Sequence, residues 1–312
     1  MHVERSAFQT LYVVDGPERR CLRFTNDAAA LDQSCVRRAE PDRLEFRYTR
    51  AMVAMTLLWQ PAPRRVLMIG LGGGSIARAL ALLRPDMEID IVEIDPAVVS
   101  VAQRFFGFAA DAKRRVHAQD ARDYVRAAAA RGEQFDAVLL DAFDENGIPP
   151  ALYTAEFLAG LRQLLAPQGV FLANTFAGSS QHAQESEATQ AAFGAFLDLR
   201  VAPGAAGNRL IIASPSPLPP SAELLARREA LGELAVRVGI DDATLREWRF
   251  EPPAPQTSSP TSAAVRQVVS RPASTDFRPS AAISARRSAG SMAFSPPSMI
   301  PRLPKLANPQ SA

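Results

Sequence analysis

The stretch Arg64-Arg-Val-Leu-Met-Ile-Gly-Leu-Gly-Gly-Gly-Ser-Ile-Ala-Arg-Ala-Leu80 constrains this chain more than any other. Val66 to Ile69 is an apolar run of the length expected for a buried strand. Gly70-Leu-Gly-Gly-Gly74 then turns the chain, and Ser75 is placed to cap an amphipathic helix running to Leu83. Strand, glycine turn and helix in that order let backbone amides approach a nucleotide-like ligand, because side chains there would hold it off. Many nucleotide-binding folds share the unit, and a tight turn with no ligand has the same pattern.

Two later stretches extend it. Ile89-Asp-Ile-Val-Glu-Ile-Asp95 reads as the next strand, with Glu93 near its end. Glu93 falls about 20 residues past the turn, where an acidic side chain can accept ribose hydroxyls. Phe135-Asp-Ala-Val-Leu-Leu-Asp141 is another buried strand ending in a carboxylate, and Asp120 follows a short strand at Val116–Ala118. Open parallel sheets bind ligands beyond the carboxyl ends of their strands. Glu93, Asp120 and Asp141 therefore share one rim. A single acid there is ordinarily a solvated strand end; three beside a glycine turn make a candidate site.

Residues 8–47 read as a small β unit. Phe8–Val14 and Arg20–Phe24 flank the turn Asp15-Gly16-Pro17, and Asp32-Gln33-Ser34 lies in a loop or a further strand. Leu44–Trp59 has helical spacing, with Tyr48 near its start and Pro61 and Pro63 after its end. From Val66 to about Ile212, strands and helices alternate. Helices are expected at Ala97–Phe106, Ala121–Arg131, Thr154–Leu165 and about His182–Phe196. Thr154 caps the third, and Pro167-Gln-Gly169 stops it. Strands are expected at Gly169–Asn174, Leu197–Val201 and Arg209–Ala213. This order predicts an α/β fold, a mostly parallel, doubly wound sheet covered on both faces. Ala222–Val238 reads as a terminal helix and Asp241–Trp248 as a shorter one. The expected divisions are a β domain at 1–47, the α/β domain at 48–214, a helical extension at 215–250 and a tail at 251–312.

Composition narrows the function. The formal net charge is +2, but residues 251–312 hold seven basic and two acidic residues, which leaves −3 on the remainder. The folded part has no basic nucleic-acid footprint. No apolar stretch reaches membrane-spanning length, and no signal peptide is expected ahead of Phe8. Cys21 and Cys35 are too few for a disulfide framework or a metal cluster. They read as small hydrophobes in a reducing cytoplasm. His2, His117 and His182 read as structural or solvated, no serine or cysteine nucleophile has a recognisable partner, and no metal is expected. The tail carries 11 of the 25 prolines, much serine and no periodicity, and is expected to be disordered.

From about Leu11 to Ala213 the chain resembles the spermidine synthase family, aminopropyltransferases on the class I S-adenosylmethionine methyltransferase fold. The likeness is densest over Tyr48–Gly74 and Asp141–Phe157. It implies a seven-stranded Rossmann-like sheet behind an N-terminal β domain, usually in a homodimer. It implies decarboxylated S-adenosylmethionine as co-substrate, a small amine as acceptor and methylthioadenosine as product. Position by position, Gln33 matches the glutamine beside the donor's thioether, and Glu93 the acid on the ribose. Asp120 and Ala121 match the pair around the adenine, while Gly70, Gly72 and Gly74 belong to the nucleoside-binding turn. Asp141 matches the proton acceptor, Asp144 the second aspartate of the Asp-x-x-Asp loop that orients the amine, and Tyr48 the tyrosine of the Tyr-His-Glu motif.

The departures fall mostly on the amine side. The family's glycine-turn aspartate is Gly73 here. The histidine and glutamate after the tyrosine are Thr49 and Arg50, and Ala142 and Phe143 separate the paired aspartates. Glu145 and Ile148 stand where the family has prolines, and Leu158 replaces a tyrosine. The pattern resembles a divergent bacterial branch. Arg50 near the amine pocket would reverse the local charge and favour a donor that keeps its carboxylate, ordinary S-adenosylmethionine. Three readings follow: an aminopropyltransferase, an S-adenosylmethionine methyltransferase, and a silent nucleoside-binding or dimerising module. A dinucleotide oxidoreductase fits less well, because Ser75 replaces the third fingerprint glycine.

Overall fold

A computed structural model describes residues 1–27, 31–144, 147–201, 207–247 and 249–251. The disordered tail expected at 251–312 lies outside the described residues, apart from Glu251. So does Glu145. Residues Met1–Gln256 cluster as one compact unit.

Four strands, β1 (His2–Arg5), β2 (Thr10–Asp15), β3 (Arg19–Arg23) and β4 (Ser34–Arg37), form an antiparallel sheet in chain order. β2 alternates as expected and buries Leu11 and Val13. β1 carries little signal in the sequence, because its four residues include only one large apolar side chain. Cys21 on β3 faces Cys35 on β4 in register, and the two are disulfide-bonded. This corrects the reading of both as unpaired small hydrophobes. The separation of 14 residues hid the partnership until the register of β3 on β4 was fixed. The carboxylate of Asp32 beside them is held by Arg23 at 2.6 Å.

The α/β part begins with α1 (Arg47–Trp59), which buries an unbroken run from Ala51 to Trp59. Then come β5 (Arg65–Ile69), α2 (Ser75–Leu83), β6 (Glu88–Glu93), α3 (Pro96–Phe105), β7 (Arg114–Ala118), α4 (Ala121–Ala130) and β8 (Phe135–Leu140). They are followed by α5 (Ala155–Gln163), β9 (Leu165–Phe176), α6 (His182–Phe193), β10 (Phe196–Arg200) and β11 (Asn208–Ala213). The segment ends with α7 (Ser221–Ala226), α8 (Arg228–Ala235), α9 (Asp242–Glu247) and β12 (Arg249–Glu251). No helix among the described residues is long and apolar enough to cross a membrane.

The sheet order is β12-β10-β11-β9-β8-β5-β6-β7, parallel from β9 through β7 and antiparallel at the other end. Seven of these strands match the expected sheet. The eighth, β12, pairs with β10 over three residues, too short a run to stand out beside Pro252. The central strands are apolar on both faces. Val66, Met68, Leu139 and Leu172 pack toward α1 and α2, while Leu67, Ile69, Val138 and Leu140 pack into the opposite core. This doubly buried pattern forces helices onto both sides of a parallel sheet.

Three local expectations are corrected. Gly74, in the left-handed region at φ +74°, is the residue before α2, and Ser75 is the first helical residue rather than the cap. Helix α5 stops at Gln163, capped at its start by Thr154, and Pro167-Gln-Gly169 lies within β9. The expected helix Ala222–Val238 is broken at Arg227. That guanidinium instead donates to the carbonyls of Leu58 (2.8 Å) and Trp59 (3.1 Å), which lie at the end of α1.

Strand order reverses around β5, which lies between β6 and β8. Such a reversal opens a crevice beyond the strand ends. Gly70 closes it from below: its N–H reaches Val92 O at 2.9 Å, and Asp141 N–H reaches Ile69 O at 2.8 Å. Gly70 has φ +93°, and a Cβ there would stand 2.2 Å from the carbonyl oxygen of Asp141. Gly70→Ala therefore combines backbone strain with a clash against backbone, a cost of roughly 2–4 kcal/mol. The expected result in a thermal melt is a Tm lowered by about 5–15 °C. A variant melting with the wild type would show that the crevice floor yields.

Candidate active site

A cavity of about 520 Å³ lies in this crevice. The N-terminal sheet walls it with Gln33, whose N–H is anchored on Leu22 O at 2.8 Å. Gly70, Gly72, Glu93, Asp120, Ala121, Asp141, Asp144 and Tyr48 also reach it. The fold thus brings together nine of the ten positions singled out from the sequence. Gly74 stands apart from this lining: at φ +74° a Cβ there would meet the Phe108 side chain at 2.8 Å, so packing requires a glycine at that position.

Glu93 ends β6 and is buried. Its Oε2 accepts the N–H of Leu71 at 3.0 Å, and its Oε1 accepts that of Asp95 at 3.0 Å. One carboxylate thus ties the glycine turn to the end of β6. Burial pushes its pKa up, against the pull of those backbone donors. Asp120 precedes α4 and accepts the N–H of Arg122 at 2.8 Å and its guanidinium at 2.6 Å. The Arg122 hydrogen bond holds the Asp120 pKa below the usual range.

Asp141 follows β8 on the face packed toward α1. Its carboxylate is enclosed by protein but open to the cavity. Oδ1 accepts Nδ2–H of Asn174 at 2.8 Å, and the Tyr48 hydroxyl also donates to the carboxylate. Desolvation pushes the carboxyl pKa up to about 6, although both donors favour its ionised form. Burial raises the Tyr48 hydroxyl well above its ordinary value, so it remains a donor. Asn174 Oδ1 in turn accepts Nδ2–H of Asn208 at 3.0 Å. Asp144 sits in a tight loop whose backbone exchanges hydrogen bonds with Gly147 at 2.8 and 3.2 Å. Phe143, between the two aspartates, meets Phe176 edge to face at 5.4 Å.

Asn174 and Asn208 went unnoticed in the sequence. The available signal was a polar residue at the cavity end of each strand: Asn174 closes the apolar run Gly169–Ala173, and Asn208 precedes Arg209 and the apolar run Leu210–Ala213. Also missed was Arg209, which is 1% exposed and held by Asp198 (2.7 Å), Glu185 (3.3 Å) and Ser186 (2.8 Å). This cluster fastens β11 to α6 and β10 rather than facing the cavity. The histidines are bound to charged neighbours: His2 to Glu4, His117 to Asp90 and His182 to Arg209.

The departures on the amine side have physical explanations. Arg50 does not reach the cavity; its guanidinium donates to the carbonyls of Leu44 (3.0 Å) and Glu45 (2.9 Å). The charge-reversal reading of Arg50 is therefore wrong. Thr49 bonds Phe46 O at 2.8 Å and is buried. At Gly73, a Cβ would stand 2.5 Å from Ser34 Oγ and 3.2 Å from the Phe106 ring. Ser34 takes the room that an aspartate would need.

The spermine/spermidine synthase domain profile matches residues 45–197. The chain is 41% identical over 232 residues to a polyamine aminopropyltransferase of Vibrio vulnificus, covering 74% of this chain and 77% of that one. It is 31% identical over 239 residues to a polyamine aminopropyltransferase of Chromobacterium violaceum, covering 76% and 89%. A probable spermidine synthase from Corynebacterium glutamicum superposes with a TM-score of 0.62 over 80% of this chain and 90% of that structure, at 18% identity. That last likeness concerns the fold.

Proposed function

The chain belongs to the spermine/spermidine synthase family, and from that premise we propose that it transfers the aminopropyl group of decarboxylated S-adenosylmethionine to a primary amine, releasing methylthioadenosine. The observation that carries this reading is the enclosed Asp141, held by Tyr48 and Asn174 at the wall of a cavity whose other wall is Glu93 and the glycine turn. An amine with a solution pKa of about 10 is mostly a protonated non-nucleophile at neutral pH. Asp141 accepts its proton as the nitrogen attacks the carbon beside the sulfonium. The C–N bond forms, the C–S bond breaks, and the sulfur leaves as a neutral thioether that needs no acid. Asp144 orients the ammonium. Glu93 accepts the ribose hydroxyls, Ala121 and Asp120 flank the adenine, and Gln33 lies beside the thioether. A homodimer and a cytoplasmic location belong to the same proposal, the location without the support of unpaired cysteines because Cys21 and Cys35 are bonded; sedimentation of the purified protein checks the dimer.

One observation favours a second reading. With Ser34 in the space beside Gly73, no carboxylate from that position meets a donor's ammonium. Methyl transfer from ordinary S-adenosylmethionine on the same site is that reading.

The pH profile tests the base. Asp141 with a pKa of about 6 loses its acceptor function as pH falls through that value. With an amine acceptor, kcat/KM for methylthioadenosine release should fall about tenfold per unit below pH 6. A rate held constant down to pH 5 would remove Asp141 from the role.

A further inference from the structure

We propose that Asn208 is a positioning residue for the general base: its amide fixes the orientation of the Asn174 amide, so that Asn174 presents its NH₂ group to Asp141. The inference rests on the aminopropyl-transfer reading, in which Asp141 takes the proton.

Chemistry determines the direction of this chain of bonds. An ionised Asp141 carboxylate only accepts hydrogen bonds, so the Asn174 atom 2.8 Å from Oδ1 must be its NH₂. The carbonyl oxygen of Asn174 then points the other way, to a group 3.0 Å off on Asn208, which must itself be an NH₂. Without that donor the Asn174 carbonyl has no partner there. The amide can then rotate and bring an oxygen against Asp141, where two acceptors repel.

The sheet supplies the placement. β11 runs antiparallel to β9 with Leu210 opposite Asn174 and Asn208 opposite Phe176. Asn174 and Asn208 are thus diagonal neighbours on one face, within reach of each other's side chains. This face also packs on α1, which brings Tyr48 to the other side of Asp141. Asn208 lines the same cavity, and its side-chain hydrogen bond toward the base goes to Asn174. Among the described residues, Tyr48 from α1 and Tyr153 after the Pro150–Leu152 turn interact with Asp141, and Asp144 shares its cavity. Substituting Asn208 alters none of them.

The test is a double-mutant cycle on the full chain. Asn208→Leu is close in shape and removes the donor without adding charge. It should lower kcat/KM about tenfold and move the acidic limb of the pH profile upward by about half a unit or more, because Asp141 loses a donor that favours its charged form. Methylthioadenosine affinity should stay within about twofold. In an Asn174→Ala background, Asn208→Leu should add less than about twofold. Asn208→Asp, which can only accept in its ionised form and so turns the Asn174 amide around, should be at least as harmful as Asn208→Leu. A wild-type rate and limb in Asn208→Leu, or effects additive with Asn174→Ala, would overturn the proposal. Carbon-13 titration of the Asp141 carboxyl keeps the inference separate from the functional reading. If the wild type released no methylthioadenosine, a higher titration midpoint in Asn208→Leu would still support the coupling. An unchanged midpoint would end it.

Discussion

Asp141→Asn is expected to lower turnover by about 10²–10⁴-fold, the usual contribution of a general base, while leaving methylthioadenosine affinity unchanged. The substitution keeps the shape of the group and an acceptor oxygen for the Asn174 amide, while the Tyr48 hydroxyl can turn to accept from the new NH₂ group, so only the proton acceptor is removed. It also makes a prediction about stability. Burial raises the folded-state pKa of Asp141 to about 6, from the ordinary aspartate value of 3.8. At pH 8 the native protein therefore carries a charge that its surroundings disfavour, and stability falls as pH rises through the interval between those values. A neutral asparagine avoids that cost. The Tm of Asp141→Asn at pH 8 should equal or exceed that of the wild type. Loss of turnover together with loss of stability would mean that Asp141 holds the fold and that the activity loss is indirect. Full turnover in the asparagine variant would transfer the role to Asp144 or end the aminopropyl reading.

Glu93→Gln is expected to weaken methylthioadenosine at least tenfold by calorimetry. Each hydrogen bond to a charged acceptor contributes roughly 1.5–3 kcal/mol, and about 1.4 kcal/mol is a factor of ten in affinity. The structure adds a cost that the sequence did not show. Leu71 N–H and Asp95 N–H each occupy one carboxylate oxygen, and glutamine has only one oxygen to offer. One buried N–H would then face an NH₂ group, a penalty of roughly 1–3 kcal/mol. A Tm lowered by several degrees should accompany the weaker binding, with the loosened end being the glycine turn. Equal affinity in the two proteins would remove Glu93 from the ribose site.

The parts of this architecture that sequence makes visible are those where one residue's type answers to one local requirement. Val66–Ile69 and Val138–Leu140 are apolar on both faces, which only a sheet covered on both sides accommodates. Gly70 is needed where β5 and β8 converge, and Glu93 and Asp141 are carboxylates at the ends of two apolar strands, where they line the cavity. Other features depend on which partner the fold brings near. Cys21 and Cys35 became a pair only once β3 and β4 were in register. Arg50 carried a readable charge but no readable direction, and the carbonyls of Leu44 and Glu45 took its guanidinium. Asn174 and Asn208 are separated by 34 residues. Nothing in either strand marks them as partners until β11 turns back antiparallel to β9. Ser34, in a stretch read as loop or strand, fills the space beside Gly73 and so accounts for a departure that sequence alone left bare.

The identity of the nucleoside product tests the central claim most directly. The purified protein, given a primary amine and either donor, is followed by mass analysis of the nucleosides. Methylthioadenosine formed from decarboxylated S-adenosylmethionine in step with consumption of the amine, and absent with Asp141→Asn, is the predicted result. S-adenosylhomocysteine formed from ordinary S-adenosylmethionine, with no methylthioadenosine from the decarboxylated donor, would contradict it and establish methyl transfer on the same site.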